Sequence, residues 1–149
     1  MFRKILIATD LRPLSEVAVR AGLQLAREQG AHVVLMTVVQ KPHEADWFEP
    51  LFDAELASLH SVVGRLQGAA GTRLEERMQA ERAGAPEGAP SYEIVVRVGR
   101  AAAQIVEVGA ELGVDLIVMS TRGRVGTIGS TAEQVVREAH RPVLVIPQT

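Results

Sequence analysis

The chain has 149 residues and a formal net charge of −2, so its length fits one domain, residues 1–149, with a substantial core, and no overall basic field points to nucleic acid. It contains no cysteine, which removes disulfides, thiol catalysis and thiolate metal sites together. No apolar run nears the ~20 residues that span a bilayer, and the N-terminus lacks the apolar core of a signal peptide, so a cytoplasmic protein without a membrane partner is expected.

Lys4 to Thr9 is a short apolar run of the kind covered on both faces of a sheet. Asp10-Leu-Arg-Pro13 follows, with a proline well placed just inside a helix start. Leu14, Val17, Ala18, Ala21 and Leu25 share one helical face, and Gly30 supplies the stop. A second buried strand is expected over Ala31 to Val39, then a polar loop with Pro42 and His43.

The long helical stretch that comes next places Leu56, Leu59, Val63, Leu66 and Ala70 at three- and four-residue steps. Leu74 and Met78 extend that face past Gly68 and Gly71, where a bend or interruption is expected. Trp47 and Phe48, beside Pro50, either pack across the top of the sheet or meet a partner, packing being the commoner fate. Tyr92 to Val98 alternates in part, as an edge strand would. Gly99 leads into a helix with Ala101, Ile105, Val108 and Leu112 as its buried stripe, and Gly113 ends it.

The last third organises the chain. Val114 to Met119 is a buried strand that feeds a loop with Gly123, Gly126 and Gly129. Ser130 and Thr131 open an amphipathic helix, and Val143 to Ile146 forms the last strand. Strict β-α alternation argues for an open parallel sheet with helices on both faces, an α/β fold. Ligands in such sheets bind outside the carboxyl ends of the strands, at the switch in strand order. Thr9-Asp10 and Ser120 to Ser130 lie at such ends.

The glycine spacing matches neither the dinucleotide fingerprint nor the lysine-type phosphate loop, since Gly129 is followed by Ser130-Thr131. A glycine loop before a helix either cradles a phosphate or only turns the chain. Ser130-Thr-Ala-Glu133 has capping-box spacing, and a hydroxyl there can also meet phosphate. Arg122 and Arg124 are either phosphate forks or solvated loop charge. Asp10 either accepts from a ribose hydroxyl, caps the next helix or closes a turn, capping and turn formation being the commoner fates. His32, His43, His60 and His140 show no metal-ligand spacing, and Gly-x-Ser-x-Gly is absent, so neither a metal centre nor a catalytic residue is indicated.

With these residues laid out, nearly the whole chain resembles the universal stress protein family. The resemblance rests on Ile5-Leu-Ile-Ala-Thr-Asp10 with Ser15, Val98-Gly99, Val114-Asp-Leu-Ile-Val-Met119, Thr121-Arg-Gly-Arg124, Gly129-Ser-Thr-Ala-Glu133 and Arg141-Pro-Val-Leu-Val-Ile-Pro147. It implies a five-stranded sheet in the order 3-2-1-4-5, of the adenine nucleotide alpha hydrolase type. It also implies homodimers paired through Val143, Leu144, Val145 and Ile146, and in one branch ATP at the carboxyl edge.

That branch spaces its glycines as Gly, two residues, Gly, nine residues, then Gly with Ser or Thr. In this chain Ser120 stands at the first position, Gly123 matches the second, and Gly129-Ser130 matches the last pair across five residues, Arg124 to Ile128. Carried over on that resemblance, the cofactor-binding set is Thr9, Asp10, Val38 beside the adenine, Ser120, Gly123, Arg124, Gly129, Ser130 and Thr131. ATP or AMP is the implied ligand, with Mg only if ATP is bound. The expected function is stress response by binding. Its alternatives are a nucleotide-free dimeric interaction module and a slow ATP hydrolase.

Overall fold

The computed structural model describes residues 1–40, 53–122 and 127–148. Pro42, His43, Trp47, Phe48, Pro50, Gly123, Arg124 and Gly126 lie outside the described residues, as does the side chain of Leu56.

Among the described residues, nine principal elements alternate along the chain. They are β1 (Lys4–Ala8), α1 (Glu16–Gln29) after a 3-10 turn at Pro13–Ser15, β2 (His32–Val39), α2 (Asp53–Gly84), β3 (Tyr92–Val98), α3 (Ala101–Glu111), β4 (Leu116–Thr121), α4 (Ser130–Glu138) and β5 (Val143–Pro147). The five strands form one sheet in the order β3-β2-β1-β4-β5, as expected. Each neighbouring pair is parallel, with Leu6 opposite Val34 on one side and Ile117 on the other.

Alternate residues along each strand feed two cores. Ile5, Ile7, Val33, Leu35 and Val118 pack with Ala18, Val19 and Leu23 of α1 and Leu74 and Met78 of α2. On the other face, Leu6, Val34, Met36 and Ile117 pack with Ile105 and Val108 of α3 and Val135 of α4. Central strands covered on both sides have no polar face to show, which is why they read as continuous apolar runs. β3 is half-buried along its whole length and lies at one edge, the position its partial alternation indicates.

Three helix faces differ from the expected stripes. In α1 the buried residues are Ala18, Val19, Gly22, Leu23 and Ala26, whereas Leu14 is 62% exposed and Val17 40%. The cause is Gly22, where an added Cβ would meet Ile7 at 2.6 Å. A missing side chain lets the helix settle on the sheet along this line, and larger aliphatic residues turn outward. Gly30 ends the helix at φ 64°, the left-handed conformation in which glycine meets no Cβ penalty.

α2 runs unbroken through Gly68 and Gly71, contrary to the expected interruption. Isolated glycines weaken a helix by about 1 kcal/mol each without requiring a break. Its later half is the part seen to bury side chains among the described residues: Ala70, Leu74 and Met78 are buried, and Leu66 is 50% exposed. In α3, Ile105 and Val108 are buried as expected, but Ala102 and Gly109 complete the buried set in place of Ala101 and Leu112. Among the described residues, no helix is long and apolar enough to cross a membrane.

Candidate functional site

Parallel strands bring all their carboxyl ends to one edge of the sheet. There a cavity of about 680 Å³ opens over β1, β2 and β4, bordered by the start of α4. Its floor is apolar, built from Met36, Val38, Ala101, Ile105 and Met119, and its rim carries Asp10, Arg12, Arg122 and Ser130. The crevice lies at the switch point, because the chain leaves β1 toward β2 on one side and α3 delivers it to β4 on the other.

The β1 end is held by a closed set of hydrogen bonds. Ser15 Oγ donates to the Arg12 carbonyl at 2.8 Å, so the 2.9 Å contact between Thr9 Oγ1 and Ser15 Oγ is donated by Thr9. Thr9 Oγ1 in turn accepts from the Leu11 N–H at 3.1 Å. This network fixes Leu11 at φ 63°, an uncommon conformation for a residue with a Cβ.

Asp10 closes a turn through Oδ1, which accepts the Arg12 N–H at 2.9 Å, while Oδ2 accepts Arg122 Nη2 at 2.7 Å. Burial pushes the Asp10 carboxyl up, but the bonds from Arg122 and from the Arg12 backbone outweigh it and hold it below the usual range. Turn formation, one of its expected fates, is thus present.

At the β4 end, Ser120 Oγ accepts Gln148 Nε2 at 2.8 Å, and Thr121 Oγ1 accepts the Gly129 N–H at 2.6 Å. Gly129, in extended conformation, is the N-cap of α4. This corrects the capping-box expectation. Ser130 is the first helical residue and makes no capping bond, and Glu133 pairs with Arg137 instead at 2.6 Å. The physical reason is tertiary: Thr121 fixes Gly129 from the neighbouring strand, which moves the helix start one residue from where the spacing puts it. Ser130 therefore lines the cavity from the first turn of α4 and is not its N-cap.

The first N–H groups of a helix have no acceptor within it, and here the first intrahelical bond runs from Glu133 N–H to the Gly129 carbonyl at 2.9 Å. Ser130, Thr131 and Ala132 thus border the cavity at the positive end of the α4 dipole. The cavity combines an apolar floor, hydroxyls, two arginines and a helix N-terminus, a combination suited to an apolar ring carrying an anionic group. No cluster of His, Cys, Asp or Glu that could hold a metal is present among the described residues.

Thr9, Asp10, Val38, Ser120, Gly129, Ser130 and Thr131 all line this one cavity. Gly123 and Arg124 lie outside the described residues. The carried-over set left out Arg12, Met36, Ile105, Arg122 and Gln148, which line it too. The available signal was positional: Arg12, Arg122 and Gln148 follow the ends of β1, β4 and β5 within a few residues, where a parallel sheet gathers its loops.

Fold and site together define an open, parallel α/β protein with a crevice at its switch point. A model of the universal stress protein family matches residues 1–147, and the chain belongs to that family. A universal stress protein of Methanocaldococcus jannaschii is 30% identical over 158 residues, covering 98% of this chain and 82% of that protein. The structure of universal stress protein UspA from Lactobacillus plantarum superimposes with a TM-score of 0.78 at 21% identity, over 97% of each chain. A universal stress protein in complex with cAMP gives a TM-score of 0.68 at 22% identity, over 99% of this chain and 98% of that one. One from Archaeoglobus fulgidus in complex with dAMP gives 0.57 at 18%, over 97% of each chain.

Proposed function

We propose that this protein acts in stress response by binding an adenine nucleotide, ATP or AMP, in the cavity at the carboxyl edge of its sheet. The observation that carries this reading is the union, in one cavity, of an apolar floor with the N-terminus of α4. The cAMP and dAMP complexes of family members with the same fold support it. Val38 and Ile105 offer a surface for the base, and the N–H groups of Ser130 and Thr131, with the Ser130 hydroxyl, face the phosphate. Mg enters only with ATP.

The chain acts as a single domain, in the cytoplasm. β5 is a sheet edge with Leu144 40% exposed, and a second copy pairing along this strand would remove an apolar edge that is a liability in a monomer. A nucleotide-free interaction module is the second reading. It is favoured by the apolar residues Val62 and Leu66, both exposed on α2.

Thermal denaturation of nucleotide-stripped protein tests the proposal. Ligand at 100 times its Kd stabilises by about 2.7 kcal/mol, so AMP or ATP should raise Tm by several degrees. An unchanged Tm at millimolar AMP, ADP and ATP would reject the nucleotide reading and leave the interaction module.

A further inference from the structure

Asp10 and Arg122 face each other across the crevice between the β1 and β4 ends, 2.7 Å apart. Both line the cavity, and both stay partly open to solvent, Arg122 at 53% and Asp10 at 37% exposure. Asp10 is not free to turn away, because its second oxygen is committed to the Arg12 N–H. Arg122 is the longer and more exposed partner, and among the described residues its guanidinium pairs with Asp10 alone.

A guanidinium beside a helix N-terminus is a strong partner for a phosphate. Here an internal carboxylate already occupies it. We infer that Asp10 is a built-in competitor for Arg122, and that binding exchanges this ion pair for one between Arg122 and a ligand phosphate. This rests on the nucleotide reading and adds a selection rule to it.

Charge bookkeeping gives the rule. A free phosphate that takes Arg122 leaves the Asp10 carboxylate unpaired beside a new anion, and like charges repel. A nucleoside brings hydroxyl donors for Asp10 but nothing for Arg122, so the internal pair stays shut. A nucleoside phosphate supplies both partners at once: the phosphate takes Arg122, and a ribose hydroxyl donates to the released Asp10. Arg122 is therefore a specificity-determining residue, and Asp10 sets the threshold a ligand must cross to engage it.

Calorimetric titration of stripped protein with adenosine, AMP and inorganic phosphate separates the alternatives, using wild type, Asp10→Asn, Arg122→Gln and the double variant. Asparagine keeps the acceptor for the Arg12 N–H and removes the charge; Arg122→Met replaces Arg122→Gln if the latter fails to fold. An exposed ion pair supports a change of about 2- to 5-fold. Asp10→Asn should raise the AMP-to-adenosine affinity ratio by that factor and improve binding of inorganic phosphate. Arg122→Gln should lower the ratio, and Asp10→Asn should then have no further effect on it. If AMP binds wild type and Asp10→Asn leaves the ratio unchanged or lower, the exchange is rejected while the nucleotide reading stands. If AMP binds no variant, the nucleotide reading falls and the exchange with it.

Discussion

The guanidinium of Arg73, midway along α2, donates to the carbonyl of Leu11 over 2.6 Å, although 62 positions separate them. Leu11 is the residue held at φ 63°, a conformation that costs a residue with a Cβ about 1–2 kcal/mol. The loop that carries Asp10 and Arg12 into the cavity is thus gripped from the helix behind it. Arg73→Ala should lower unfolding stability by about 1 kcal/mol, the net worth of one such bond. Urea unfolding would register it as a reduced midpoint at unchanged slope. An unaltered midpoint would mean that Thr9 and Ser15 hold the loop unaided.

Two glycines of the helices on this same face should respond oppositely to alanine. At Gly22 the new Cβ would lie 2.6 Å from Ile7, deep in the core, and overpacking of this kind costs about 1–3 kcal/mol. At Gly68 nothing lies within 4 Å, so Gly68→Ala should stabilise by about 0.5–1 kcal/mol through helix propensity. Thermal denaturation of the two variants checks both signs. A stabilised Gly22→Ala would show that α1 does not depend on this close approach.

Ser130 and Thr121 offer a contrast at the cavity itself. Ser130 makes no capping bond, so Ser130→Ala should leave stability within about 0.5 kcal/mol while weakening nucleotide binding. Thr121→Val removes the acceptor of the part-buried Gly129 N–H and should cost about 1 kcal/mol, the net worth of one such bond. Stability curves and AMP titrations on the same two samples make the comparison. Ser130→Ala that destabilises without affecting binding would restore the capping role.

Acid should erode the fold through two aspartates. The Asp115 carboxyl is held below its ordinary value chiefly by the N–H groups of Arg3 and Lys4, which it accepts at 2.8 and 3.0 Å. Asp10 is also held low: burial raises it, and Arg122 and Arg12 lower it further. A carboxylate with a depressed folded pKa contributes stability above its unfolded value, which is lost as pH falls through the folded one. For both residues that window lies below about pH 4. Unfolding free energy should accordingly be insensitive to these groups from pH 5 to 8 and decline below pH 4. Asp115→Asn should flatten the decline. An equally steep acid limb in that variant would assign the acid sensitivity elsewhere.

Fold and site were legible in the sequence to different depths. Apolar runs with helices between them imply a parallel sheet whatever their exact bounds, and that topology alone brings Thr9, Ser120 and Ser130 to one edge. Helix faces were harder. α1 packs along Gly22, which carries no hydrophobic signal, so a stripe chosen from large side chains pointed Leu14 and Val17 inward when both are exposed. The α4 start was misplaced because its cap is set by Thr121 on another strand. The Asp10–Arg122 pair spans 112 positions, and no local spacing encodes it.

The proposed adenine nucleotide occupies the cavity over β1, β2 and β4. Titration of AMP into 15N-labelled, nucleotide-stripped protein, followed by amide chemical shifts, tests it most directly. Saturable shifts concentrated at Thr9, Val38, Gly129, Ser130 and Thr131 are the predicted result. No shifts at millimolar AMP, or shifts confined to the exposed half of α2 around Val62 and Leu66, would contradict it.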